Sequence, residues 1–177
     1  MIRKLTPVFL SLALFSCTPD EPVNMSPAQT EAYAPVYAST QDITKISYEP
    51  GRKTEQAGKI YAARNYIFQN DLNKGIHIIN NSSPANPEKI GFINLPYSNE
   101  IAVKGNFLYS NNLNDLVVFD ITDVSKPQLV KRIQNVFPSV NQKYPPQSNV
   151  FFECPDAKKG IVISWEKKLL NDPKCRR

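Results

Sequence analysis

The sequence predicts an all-β fold of two to three propeller-blade-like antiparallel repeats, an incomplete propeller preceded by a signal peptide and a spacer with at most one short helix. Three observations carry this. From residue 58 onward, short apolar runs rich in β-branched and aromatic residues alternate with clusters of turn formers. The runs recur at a spacing of 40 to 41 residues, the length of one four-stranded blade. Fifteen Pro against six Gly in 177 residues disfavour long uninterrupted helices and Gly-rich phosphate loops.

At the start, Arg3 and Lys4 precede an apolar stretch of eleven residues, 5–15, well short of the roughly 20 that a bilayer span needs. Residues 1–16 therefore read as a secretory signal. The segment Leu14-Phe15-Ser16-Cys17 resembles the bacterial lipobox, and that resemblance implies that Cys17 is acylated on its sulfur and becomes the mature N-terminus. The other reading is an ordinary signal peptide with an incidental cysteine. Asp20 and Glu21 resemble the surface-export signals of lipoproteins from Bacteroidetes, which implies a lipid-anchored protein of the outer membrane or cell surface. Residues 17–57, rich in Pro, Thr, Ser, Gln and Glu without sustained periodicity, read as a spacer. Within it, Ser39-Thr40-Gln41-Asp42 is expected to cap one short helix running to about Ile46.

The repeats come next. Asn65-Tyr66-Ile67-Phe68 matches Asn106-Phe107-Leu108-Tyr109 at an offset of 41, and Ile76-His77-Ile78-Ile79-Asn80 matches Leu116-Val117-Val118-Phe119-Asp120 at an offset of 40. One residue is lost in the intervening turn. Pro87 and Pro127, and Ile93 and Ile133, keep the offset of 40. Expected strands in the first copy are 59–64, 66–70, 75–80 and 89–94, separated by Asn-, Asp- and Pro-rich turns. A weaker third copy is expected from Val150-Phe151-Phe152-Glu153 and Gly160-Ile161-Val162-Ile163-Ser164-Trp165. The repeat region thus runs over 58–166, as 58–98, 99–137 and a partial 138–166, with a basic tail at 167–177. Equivalent apolar residues such as Ile78 and Val118 should be similarly buried, each costing roughly 2 to 4 kcal/mol if truncated to Ala.

The strand Asp115-Leu116-Val117-Val118-Phe119-Asp120-Ile121, with Asp123 and Lys126-Pro127 after it, resembles the LVIVD repeat, whose strand ends in Asp before a turn. Residues 75–87 form a second instance with Asn80 in place of that Asp. The whole chain resembles the N-terminal part of LVIVD-repeat lipoproteins of Bacteroidetes, a β-propeller-like family whose members continue into more repeats. Two and a half blades cannot close a ring. The expectation is an open stack with exposed edges, which implies homo-association or completion by further repeats.

Chemistry is sparse. The single histidine, His77, excludes any site needing two imidazoles, and no nucleophile motif accompanies it, so it reads as a structural or surface residue. No cofactor and no metal are implied. The turns carrying Asn70, Asp71 and Asn73, and Asn111, Asn112, Asn114 and Asp115, lack the central Gly and terminal Glu of a calcium loop and read as hairpin turns. They are the expected binding surface. Tyr61, Tyr66, Phe68, Tyr97, Phe107 and Tyr109 are either core or a sugar-stacking platform. In an exported protein Cys154 and Cys175, 21 positions apart, form either a disulfide or two free thiols. The formal charge is +5, and without Arg3 and Lys4 the chain has 19 basic and 16 acidic residues, a net +3. Lys167, Lys168, Lys174, Arg176 and Arg177 lack interleaved stacking aromatics, so the tail reads as solvated and no nucleic acid partner is expected. The expected function is a non-catalytic, lipid-anchored β-repeat module of the cell envelope that presents a binding surface to a protein or glycan. The alternative is part of an envelope propeller enzyme, a hydrolase or lyase, whose remaining blades are encoded elsewhere.

Overall fold

The computed structural model describes residues 27–138 and 140–177. The signal segment and Cys17 lie outside the described residues. The elements in chain order are β1 (Gln29–Ala38), α1 (Thr40–Thr44), β2 (Ser47–Glu49), β3 (Ala57–Ala63), β4 (Tyr66–Asp71), β5 (Gly75–Asn80), β6 (Glu88–Asn94), β7 (Ile101–Lys104), β8 (Phe107–Asn112), β9 (Asp115–Asp120), β10 (Gln128–Ile133), β11 (Phe151–Phe152), β12 (Ile161–Asn171) and β13 (Cys175–Arg176). The fold is all-β, and α1 is the short helix that the sequence announces. Its cap is Ser39, whose Oγ accepts the Asp42 N–H at 3.0 Å.

The two full repeats form two antiparallel meanders, with strand orders β6-β5-β4-β3 and β10-β9-β8-β7. Their equivalence reaches the turns. Asn80 and Asp120 each accept the N–H two residues on, from Ser82 at 3.0 Å and Thr122 at 2.8 Å. Asn81 N–H donates to Asn65 O, and Ile121 N–H to Asn106 O. The Asp that ends the second repeat's strand is therefore a turn-forming residue, and Asn does the same work in the first.

The blades stack on an apolar core. Phe68, Ile76, Ile78, Ile93 and Leu95 of the first meet Val103, Leu108, Val117, Phe119 and Ile121 of the second, all buried. Alternation along the strands selects these residues, since Phe68 lies opposite Ile78 and Leu108 opposite Phe119. Ion pairing of Lys59 with Glu100, and a hydrogen bond from Arg64 to Asn106, link the blades at their rim.

The first blade has a fifth strand. Within residues 17–57, β2 pairs antiparallel with the outer strand β6, and Tyr48 lies over Gly91, where any Cβ would sit 2.1 Å from the Tyr48 hydroxyl. The chain must then pass from this edge to β3 at the opposite edge, about 19 Å away at four strand spacings. Residues 50–56 do so as a strap over the sheet face. A Cβ on Gly51 would come within 2.1 Å of the Lys89 carbonyl oxygen, so only glycine allows the strap to lie this close.

Three expectations need correction. Residues 29–38 are not spacer but strand, with β1 paired along its whole length to β12, from Gln29 opposite Asn171 to Ala38 opposite Ile161. Residues 138–166 do not make a third blade. Here β11 lies parallel to β1 and the sheet order is β12-β1-β11-β13, so the expected second and third strands never pair with each other. The tail is not free either, because β12 runs to Asn171 and β13 pairs with β11. The physical reason is shared. β1 is the central strand to which both β11 and β12 bond, its Ala32 and Ala34 side chains are buried at 3% and 0% exposed, and a bulge at Val36/Tyr37 follows Pro35. Phe152 fills this small core, with its ring edge-on to Trp165 and Tyr144 at 5.6 and 6.2 Å. A disulfide joins Cys154 to Cys175, with Cα atoms 5.3 Å apart, beside the β11–β13 pair.

Candidate functional site

The turns β4–β5 and β8–β9 lie at one end of the two blades and are stitched together. Asn73 N–H donates to Ser98 O at 2.8 Å, Tyr97 N–H to Asn73 O at 3.1 Å, and Leu113 N–H to Tyr97 O at 3.3 Å. The backbone enters the left-handed region at Asn73 (φ 62°) and Leu113 (φ 55°). Asparagine tolerates this conformation more readily than leucine does.

The side chains do not form the exposed surface expected of them. Asn70, Asp71, Asn111, Asn112 and Asn114 are buried, Asp115 is half-buried, and only Asn73 among the seven is exposed. Burial follows from hydrogen bonding to backbone that no strand satisfies. Asn111 Oδ1 accepts the N–H groups of Asn99 and Glu100, both at 2.9 Å, and its Nδ2 donates to Tyr97 O and Leu113 O. Asn70 Nδ2 donates to Gly75 O and Ser98 Oγ. Asn112 Nδ2 reaches Pro96 O at 2.6 Å and Ile43 O of α1 at 3.1 Å. Asn114 exchanges two bonds with the Val140 backbone. These residues hold loops in place.

Asp71 does more. Its carboxylate accepts the strap N–H groups of Gln56 at 2.7 Å and Glu55 at 3.0 Å, lies 3.3 Å from His77 Nε2, and has the Arg52 guanidinium at 4.0 Å. Burial alone would raise its pKa, but the two backbone donors and His77 outweigh this and hold the carboxyl below the usual range. Burial pushes the His77 imidazole down, helped by Lys89 and Arg52 and opposed by Asp71. Both shifts favour a neutral imidazole beside an ionised carboxylate. The His77 ring tilts against Phe92 at 4.8 Å, and the Arg52 guanidinium carbon lies 4.0 Å from the centroid of that Phe ring. The Asp–His pair has the form of two members of a catalytic triad. Both side chains are 0% exposed, so the strap closes them off from any substrate. This carboxylate partner for His77 escaped the sequence reading. The signal was the hairpin register: Asp71 and His77 flank a three-residue turn and point to the same sheet face.

One of the recesses that open to solvent is a cleft of about 240 Å³ between α1, the β8–β9 turn and the segment after β10. Asn112, Leu113, Asn114 and Asp115 form one wall, Thr40, Ile43 and Thr44 another, and Arg132, Gln134, Asn135, Gln142 and Ile161 the rest. Asp115 binds Arg132 at 2.7 Å and accepts the Asn135 N–H at 3.0 Å, so the charged pair is internally neutral. The cleft therefore gathers three of the seven expected residues and adds Arg132, which the sequence reading missed. Asn70, Asp71, Asn73 and Asn111 do not line it.

With four strands in the order β10-β9-β8-β7 and a strand-terminal Asp in its turn, the second blade has the layout that the sequence resemblance implies. Residues 97–135 match the LVIVD repeat. No curated protein and no solved structure matches the chain. The matched LVIVD repeat covers all four strands of the second blade together with the Tyr97–Asn111 and Leu113 contacts described above. Outside it, the first blade repeats the same strand pairing and the same Asx turn. Among the described residues there is no group of three His, Cys, Asp or Glu side chains arranged to hold a metal, and no helix long and apolar enough to cross a membrane. The aromatics expected as a stacking platform are dispersed: Phe68 is in the inter-blade core, Tyr61 is exposed on β3, and Phe107 is exposed on β8 of the other sheet.

Proposed function

We propose that this chain is a non-catalytic, lipid-anchored β-repeat module of the cell envelope, and that it holds a glycan or protein ligand in the cleft beside the second blade's turn. The observation that carries this is the cleft itself, an open polar recess built on the LVIVD repeat and large enough for about one sugar ring. Its walls mix amides, hydroxyls and an internally compensated Arg132–Asp115 pair with the apolar Ile43, Leu113 and Ile161, a chemistry suited to an uncharged polyhydroxylated ligand. The non-catalytic reading is supported by the seclusion of the only imidazole, His77, beneath the strap. The anchor rests on the lipobox-like Cys17, and intact mass of membrane-extracted protein should show loss of sixteen residues and gain of lipid. The binding test is a titration of the protein with a panel of neutral saccharides, followed by amide chemical shifts. Shifts confined to residues 112–115 and 132–135, weakened about tenfold by Gln142→Ala, are expected. No shifts at millimolar saccharide, or shifts elsewhere, would overturn the glycan assignment.

A further inference from the structure

The two blades do not present equal surfaces. Phe68, Ile76, Ile78 and Ile93 of the first blade are no more than 1% exposed because the second blade lies on them. The same repeat positions in the second blade are Tyr109, Leu116, Val118 and Ile133, and the register puts them together on its far face: Tyr109 opposite Val118, and Ile133 opposite Leu116. Ile133 is 40% exposed, Tyr109 and Leu116 are partly exposed, Val118 between them is buried at 7% exposed, and none of the four belongs to the inter-blade core. A surface of the kind that receives a blade elsewhere in the molecule is thus left without a blade on it, exposed at Ile133 and in part at Tyr109 and Leu116.

The reverse surface is closed. The face by which the second blade packs on the first carries Val117, and the equivalent face of the first blade carries His77 in that position. Residues 50–56 cover it, latched by Asp71 to the Glu55 and Gln56 N–H groups and by Arg52 over Phe92. Another molecule of this protein therefore has no first-blade face to offer, and head-to-tail stacking is blocked.

We infer that a second copy of this chain docks on the far face of the second blade, open face to open face about a twofold axis. The face bears charges of both signs, with Lys104 and Lys131 alongside Asp120, so a self-complementary arrangement needs no partner of opposite charge. Because the strap seals the other end, assembly stops at two and does not continue into fibres. Four strands by about five residues give a footprint on the order of 300 Å². Counting both copies, this falls below the roughly 1,200 Å² of a standard stable interface, so the dimer is a weak, reversible one. This docking face is separate from the cleft, and the two assignments stand or fall independently.

Sedimentation equilibrium of the full-length protein in non-ionic detergent, over about 5 to 200 µM, tests it. A reversible monomer–dimer equilibrium is expected. Ile133→Glu should weaken it at least tenfold without changing the thermal unfolding midpoint of the monomer, since Ile133 is already exposed. Lys131→Glu, a surface substitution that cannot disturb a core, should also change the dissociation constant. Ile60→Glu, at a 62% exposed position on β3, should leave it unchanged. A monomer at every concentration, growth beyond a dimer, or association indifferent to both Ile133→Glu and Lys131→Glu would overturn the inference.

Discussion

Removing the Asp71 carboxylate by Asp71→Ala should detach the strap from the first blade. In the native protein this buried side chain satisfies two part-buried strap N–H groups, at 2.7 and 3.0 Å, and lies 3.3 Å from the buried His77. Each buried donor left without an acceptor costs about 1 to 3 kcal/mol. The strap can shift and expose some of its N–H groups to water, so the lower half of that range applies and the total is about 2 to 4 kcal/mol. For a domain of this size the urea dependence is about 2 kcal/mol per molar, and the midpoint should fall by about 1 to 2 M. Asp71→Asn keeps one acceptor oxygen and loses the charge beside Arg52, and should fall between Ala and wild type. The assay is urea unfolding followed by far-ultraviolet circular dichroism. A midpoint shift below about 0.3 M for Asp71→Ala would refute the reasoning, because it would mean that the strap is held by something other than this carboxylate.

The remaining predictions use the same physical terms. His77 has its folded pKa below the unfolded value of about 6.5, so its contribution is complete above that value and declines as pH falls from about 7 toward the folded pKa. Asp71 acts in the same direction at lower pH, its contribution being present above about 3.9 and lost as pH falls through the depressed folded value. Stability should therefore decrease on acidification from pH 7 to 5, and His77→Gln, which removes the only histidine, should flatten that slope; an unchanged slope would count against the buried neutral imidazole. Reduction of Cys154–Cys175 should cost about 3 kcal/mol on the chain-entropy model. The single Trp165 packs in that sheet, so its fluorescence transition should move to lower urea on reduction, and coincidence with the oxidised curve would contradict the role given to the bridge. As expected from the repeat, Ile78 and Val118 are both buried, at 0% and 7% exposed, but only Ile78 lies in the inter-blade core. Ile78→Ala should therefore cost about 3 to 4 kcal/mol and Val118→Ala, which removes less side chain from a face no blade covers, about half as much. Equal costs in dilute protein would show that the far face is covered within one chain.

The two blades were legible because repetition is a property of one sequence compared with itself. Asn80 and Asp120, forty apart, perform the same turn, and the lost residue falls where a three-residue turn shortens to two. By contrast, β1 was illegible for reasons that are equally physical. Its buried residues are Ala32, Ala34 and Pro35, all weak β formers, and its partner strand lies more than a hundred residues away. The turn residues were identifiable by type, but whether an asparagine faces water or a neighbouring loop depends on blade stacking, which local sequence does not encode. Arg132 illustrates the same point. It occupies the repeat position held by Phe92 in the first blade, and nothing local marks it as the partner of Asp115 across the β9–β10 pair. Because β1 comes from the segment that looks like spacer, the partner that keeps β11 and β12 apart is invisible locally, and both bond to β1 instead of to each other.

Residue-resolved hydrogen exchange of the native protein tests the architecture most directly, because it asks whether the chain is two stacked blades and a separate sheet closed by an N-terminal strand. Protection should be high in β4, β5, β8 and β9 and also in residues 29–38 and 161–171, which bond to each other along ten paired positions. Rapid exchange throughout residues 29–38, with protection in a 150–153 and 161–165 pair instead, would contradict the account and restore a third blade.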